Sequence, residues 1–185
     1  MQRLRLRSIR GSIAPMPKAF PPFAIFRAAD AVDFDTSGIM SPPDPATVNL
    51  EASAQLVEAG MGEGANNELL FGKAGYSLTK VWFKSGFPLP RHSHDCDCLY
   101  YILAGSVRLG AEELGPGDGF FVGADVPYTY TTGENGVELL EFRASNAFDI
   151  KLLAGSRKWY DKALETVEAK RDIWPDEPRP SQRDG

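Results

Sequence analysis

The chain has 185 residues, of which 43% are hydrophobic and 24% charged; this suits one domain with extensions and supplies a substantial core. The net charge of −5 is uneven: residues 1–29 carry six basic side chains and no acid, whereas 30–155 carry a net charge of −11, which repels phosphate backbones and argues against nucleic acid as a partner. No run approaches the roughly 18 to 20 apolar residues of a membrane-spanning helix, so no membrane partner is expected.

The basic leader (Arg3, Arg5, Arg7, Arg10, Lys18, Arg27) lacks the apolar stretch of a secretory signal, and reads either as a targeting segment or as a plain extension. Seven prolines within the first 45 residues, broken by an apolar run at 23–26, predict an extended arm laid over the rest of the chain. Asn49 is placed to cap a short helix over 50–59, stopped by Gly60, and 62–67 reads as a loop. From Leu69 the pattern becomes β-type. Runs at 69–71, 77–83, 98–103, 106–109, 119–122, 128–132 and 137–143 are separated by turn signals at 84–86, 114–118 and 132–136. Many short strands at that spacing predict an all-β sandwich or closed barrel. Ser156 is a cap for an amphipathic helix over 157–171, with Trp159, Ala163 and Val167 on one face, ending before Trp174-Pro175. Residues 178–185 read as a loose tail. The expected organisation is an extension over 1–68, a barrel over 69–150, and a helix with tail over 151–185, without internal repeat.

The two histidines of the chain, His92 and His94, lie two residues apart. On a strand that spacing puts both imidazoles on one face, roughly 6.5 to 7 Å apart along the chain, where they can converge on one ion. Cys96 and Cys98 are likewise two apart, a spacing badly placed for a disulfide. Two free thiols point to a reducing compartment, the cytoplasm.

Gly86, His92, His94 and Gly105, with the aromatic run Tyr100-Tyr101-Ile102-Leu103 leading into the last glycine, resemble the first cupin motif. The turn Pro116-Gly117-Asp118 followed by Phe120-Phe121-Val122 is similar to the family's inter-motif turn and next strand. The resemblance covers about 70 residues. It implies an all-β cupin double-stranded β-helix, or jelly-roll barrel, with an N-terminal arm and a C-terminal helix. It also implies a homodimer, for which the proline-rich arm is long enough to lie across a neighbour. Two departures stand out: Cys98 occupies the position of the family's glutamate ligand, and Tyr128 that of the histidine of the second motif, of which only Gly117 survives.

By that resemblance the site is one divalent transition metal, zinc or iron, held by His92, His94 and Cys98, with Tyr128 positioning water or substrate. The alternative is that Cys98 is a buried apolar filler marking a lapsed metal site. Trp82, Tyr100 and Tyr130 are the expected aromatic lining of a small-molecule pocket. Glu141 shares a face with Leu139 and Arg143; it serves as an acid or base if Leu139 points inward, and otherwise forms a rim pair with Arg143. The implied function is a metal-dependent cupin enzyme acting on a small aromatic or carbonyl-bearing substrate, with dioxygenase-like cleavage ahead of isomerase or lyase chemistry. The competing expectation is a non-catalytic small-molecule-binding cupin.

Overall fold

The computed structural model describes residues 20–153 and 156–183, so the basic leader up to Lys18 lies outside the described residues. The helices form where their caps dictate. Helix α1 (Leu50–Glu58) begins where the Asn49 side chain accepts from the Ala52 amide at 3.1 Å, and Gly60, with a positive φ of 103°, follows its end. Helix α2 (Arg157–Lys170) is capped by Ser156 and buries Tyr160, Ala163 and Val167.

The strands are β1 (Val32–Asp33), β2 (Ala65–Lys73), β3 (Tyr76–Phe83), β4 (His92–Ser93), β5 (Cys98–Leu109), β6 (Glu112–Leu114), β7 (Gly119–Val122), β8 (Thr131–Arg143) and β9 (Lys151–Leu152). The main antiparallel sheet runs β1-β2-β3-β8-β5-β6, with β7 also paired to β5, and β4 pairs with β9 in a second, two-stranded sheet. This is an all-β, antiparallel jelly-roll architecture, with an N-terminal arm and a C-terminal helix. Because side chains alternate along a strand, pairing of β3, β8 and β5 stacks their inner residues in rows. Val81, Leu139 and Ile102 form one apolar row, and Phe83 and Val137 extend it. The next two rows are polar: Thr79–Glu141–Tyr100, then Ser77–Arg143–Cys98. The apolar rows plug the barrel, and the polar rows place a site at its other end.

The described part of the arm, from residue 20, pairs with β2 through β1 and packs Phe34 with Leu69 and Phe148. Four local expectations are corrected. Residues 65–67, read as loop, open β2, because their backbone pairs with β3. The runs 98–103 and 106–109 are one strand, β5, whose register shifts around Ala104 and Gly105. Gly105 there has φ +74°, and a Cβ would collide with the Gly136 carbonyl, so glycine is required twice over. The supposed turn at 132–136 lies inside β8, and Tyr128 makes only an isolated bridge, to His92.

The fourth correction concerns the C-terminus, where 178–183 is docked rather than loose. Arg179 and the Ser181 amide bind Glu138 at 3.2 and 3.0 Å, and Lys80 reaches the same carboxylate at 3.2 Å. Glu138 points to the outside of the sheet, yet the tail leaves it only 1% exposed. Burial alone would raise its pKa, but hydrogen bonds from Ser181, Lys80 and Arg179 outweigh that and hold it at about 2. The same tail covers Trp82, which lies opposite Glu138 with Lys84 and Arg179 each 4.8 Å from its ring. Trp82 is therefore an outer-face residue and does not line the pocket, contrary to expectation.

Candidate active site: a directional hydrogen-bond chain

A cavity of about 460 Å³ opens at the polar end of the barrel. Phe83, Phe87 and Tyr130 line its aromatic side, while Phe34 and Met40 of the arm and Met61 after α1 complete the wall. His92, His94, Tyr128, Glu141 and Arg143 form its polar end.

The His-x-His segment is held on both sides. His92 exchanges backbone hydrogen bonds with Tyr128 at 3.0 and 2.9 Å, and β4 pairs with β9 on the other side. Asp95 and Asp149 cap each other's amides reciprocally, at 2.9 and 3.0 Å. Both imidazoles are buried, with ring centroids 5.1 Å apart, so the shared face inferred from their spacing exists.

Proton positions follow from the partners. Nδ1 of His92 lies 2.8 Å from the Pro90 carbonyl, and Nδ1 of His94 lies 2.5 Å from the Asp149 carbonyl. A carbonyl only accepts, so each Nδ1 carries the proton and each Nε2 of the neutral ring is a lone pair. Burial lowers the pKa of His92 despite the Pro90 bond. His94 falls to about 4, through burial first and the charge of Arg143 second. Both rings are neutral at physiological pH.

Tyr128 Oη lies 2.8 Å from Nε2 of His92 and must donate to it. Its one proton thus spent, Tyr128 accepts from the hydroxyl of Tyr100, which packs behind it against Phe120. Tyr100 in turn accepts from Nη2 of Arg143 at 3.5 Å, a long contact that closes the chain on a group able only to donate. Direction is thereby set throughout: Arg143 to Tyr100, to Tyr128, to His92, to the Pro90 carbonyl. Burial, and secondly the charge of Glu141, raise both tyrosines above the ordinary phenol value, so neither ionises near neutrality.

Arg143 is 1% exposed, paired with Glu141 at 2.7 Å and stacked 4.5 Å over Phe148. Burial disfavours its charge, but Glu141 more than compensates. Leu139 is fully buried on the same face, so Glu141 turns inward and lines the cavity instead of forming a rim pair. Arg143 is the group that the sequence undervalued; its shared parity with Leu139 and Glu141 was the available signal.

Cys98 corrects the expected ligand set. Among the described residues no three His, Cys, Asp or Glu side chains come together as a metal-holding group. Cys98 lies in the core at 2% exposure, does not line the cavity, and donates weakly to the Leu99 carbonyl at 3.7 Å. Burial, then the charge of Glu141, push its thiol pKa up to about 12, so it is a neutral thiol near pH 7. Of the remaining donors, Nε2 of His92 is occupied by Tyr128 and one oxygen of Glu141 by Arg143, whose buried guanidinium shares the wall, so Nε2 of His94 is left as the one free imidazole donor. A divalent metal does not fit this arrangement.

Acid sensitivity follows from two of these groups. Glu138 has its pKa depressed from 4.5 to about 2, so its stabilisation is complete above pH 4.5 and lost as pH falls towards 2. His94, lowered from 6.5 to about 4, is protonated first in the unfolded chain, so its contribution is lost as pH falls from 6.5 to 4. His94 accounts for up to about 3 kcal/mol of the pH dependence, and Glu138 for about 1 to 2 after solvent screening. Urea unfolding at pH 7, 5, 4 and 3 should show stability falling at every step, whereas a flat profile from pH 7 to 4 would contradict the placement of His94.

No protein-family model matches the chain, and no curated protein sequence matches it. Solved structures do resemble it. The polyketide cyclase RemF from Streptomyces resistomycificus is 20% identical, over 57% of this chain and 82% of that one, with a TM-score of 0.47. An RmlC-like cupin from Shewanella frigidimarina is 26% identical, over 46% and 79%, with a TM-score of 0.41. Oxalate decarboxylase from Bacillus subtilis, with one substitution, is 18% identical, over 45% and 26%, with a TM-score of 0.39. The strand order and the inward rows of β3, β8 and β5 make an antiparallel β jelly roll, in which the Gly86–His92–His94–Gly105 spacing resembles the first cupin motif with Cys98 in place of its glutamate.

Proposed function

We propose that the cavity takes a small organic molecule in place of a metal ion, and that the chain performs proton-transfer chemistry on it, of isomerase or lyase type. The observation that carries this is the hydrogen bond from Tyr128 to Nε2 of His92. It occupies one of the two lone pairs a metal would need and leaves Nε2 of His94 as the free base facing the cavity. There His94 accepts a proton from a bound substrate and returns it to another substrate atom, while its Nδ1 bond to Asp149 holds the ring in the required tautomer. The His92–Tyr128–Tyr100–Arg143 chain keeps the opposite wall rigid, and the aromatic side excludes water. Dioxygenase-like cleavage and metal dependence, which the sequence resemblance implies, find no support in this donor set.

The test is metal content together with one substitution. Untagged protein grown with added zinc and iron should carry well under one metal per chain, without response to a chelator. Tyr128→His removes the phenol that occupies His92 and supplies a third imidazole, and should raise zinc affinity by about tenfold or more, measured by competition with a chromophoric chelator. Stoichiometric metal in the unaltered protein would refute the proposal.

A further inference from the structure

The strands that wall the cavity are apolar on their outer face as well. Pairing of β3, β8, β5 and β7 sets Leu78, Phe142, Leu99 and Phe121 side by side across four strands, pointing away from the barrel. Phe142, Leu99 and Phe121 are 41%, 54% and 61% exposed. Tyr76 stacks on Phe142, and the exposed Tyr101 and Leu103 continue the patch along β5. Beyond Leu78 the row reaches Phe71, on which Phe20 and Phe26 of the arm pack, so the arm closes on its own sheet there. The C-terminal tail covers this face only towards its other end, over Trp82 and Glu138.

We infer that this face binds the same face of a second copy of the chain, about a two-fold axis that runs parallel to the strands between β8 and β5. The sequence of the strands is the first support. A strand with one face in water alternates apolar and polar residues, whereas one covered on both faces reads as a continuous apolar run. Leu99-Tyr100-Tyr101-Ile102-Leu103 and Phe120-Phe121-Val122 are runs of the second kind. Area is the second. The exposed apolar side chains of the patch amount to on the order of 600 Å², the upper limit of what a monomer ordinarily shows. Two copies face to face would bury about 1,200 Å², enough for a stable interface.

Charge and shape point to a copy of this chain as the occupant. Among the outward side chains at 76–82, 99–103, 119–122 and 138–142, only Lys80 and Glu138 are charged, and they pair with each other at 3.2 Å. The chain as a whole carries a net charge of −5, yet on this face two copies meet without like charges opposed. Across the sheet the row runs aliphatic, aromatic, aliphatic, aromatic. The two-fold axis reverses that order in the second copy, so Phe142 meets the partner's Leu99 and Phe121 meets the partner's Leu78. Each ring then lies on an aliphatic side chain and no two rings collide. A lipid surface or a foreign protein has no need of that symmetry.

The experiment is sedimentation equilibrium of the untagged full chain from about 1 to about 100 µM, where a dimer with a Kd below about 10 µM is expected. Leu99→Glu and Phe121→Glu, both at exposed positions, each bring two carboxylates into the interface. Each should weaken association by at least about a hundredfold, with an unchanged near-UV circular dichroism spectrum showing the fold intact. Leu78→Lys should also weaken it. Combined with Phe121→Glu, it sets an ammonium opposite the partner's carboxylate twice over, and the double variant should associate at least about tenfold more tightly than either single variant. A protein that stays monomeric at the highest concentration would overturn the inference and leave the face to a lipid or a foreign partner. A dimer indifferent to both glutamates would overturn the choice of face, and a double variant no tighter than the singles would overturn the two-fold pairing.

Discussion

Replacing Arg143 with leucine should destabilise the protein by about 3 to 5 kcal/mol, the cost of leaving a buried charge without its partner. The guanidinium is 1% exposed, pairs with Glu141 at 2.7 Å, lies over Phe148, and feeds the chain that begins at Tyr100. Without it, Glu141 faces the cavity as a lone carboxylate, and Tyr100 loses the donor that sets its direction. Most of the penalty comes from the orphaned Glu141 and little from the contacts of Arg143 itself, so the double variant Arg143→Leu/Glu141→Leu should recover more than half of it. Guanidinium denaturation of the two single variants and the double variant measures this. A double variant no more stable than Arg143→Leu alone would show that the pair is not coupled.

Trp174→Ala should cost about 3 to 5 kcal/mol, the range for a core aromatic. The ring is fully buried against Phe87, and so closely over Gly64 that a Cβ there would not fit. Its indole N–H donates to the Ser85 carbonyl at 3.0 Å, and its own carbonyl accepts from Nζ of Lys84 at 2.5 Å. Glu177, three residues on, accepts from both the amide and the hydroxyl of Ser85, at 2.8 and 2.6 Å. Trp174 therefore anchors the strap that covers Glu138 and Trp82. Its loss should free the tail as well as open a cavity, so cleavage by trypsin after Arg171 and Arg183 should accelerate under native conditions. Loss of stability without faster cleavage would separate the two roles.

How far the fold and the site could be read from the chain depended on whether the deciding contact was local. The helix caps Asn49 and Ser156 act within three residues, and both helices start where the sequence places them. His92 and His94 were legible because parity along one strand fixes their shared face. Trp82 misled for the same reason: the inner face of β3 begins with polar Ser77 and Thr79, while its outer face carries Leu78 and Trp82, so hydrophobicity pointed to the wrong side. The tail reads as loose because Arg179 and Ser181 reach their partner Glu138 across more than 40 positions. Cys98 has inward parity, but parity does not tell how far down the barrel wall a side chain sits. What Tyr128 does could not be read either, since its role as donor depends on the Pro90 carbonyl beyond His92.

The central claim is that both imidazoles are neutral, protonated at Nδ1, with one Nε2 held by Tyr128 and the other free for a ligand. Because the chain contains only two histidines, long-range proton–nitrogen correlation NMR on uniformly ¹⁵N-labelled protein reads both directly. The account predicts two Nδ1–H tautomers at pH 7, with His94 remaining neutral until the pH approaches about 4. Adding one equivalent of zinc should leave the Nε2 resonances in place, and Tyr128→Phe should shift that of His92 towards the value of a free lone pair. An Nε2–H tautomer at either ring, or an Nε2 shift of both rings on adding zinc to the unaltered protein, would contradict it.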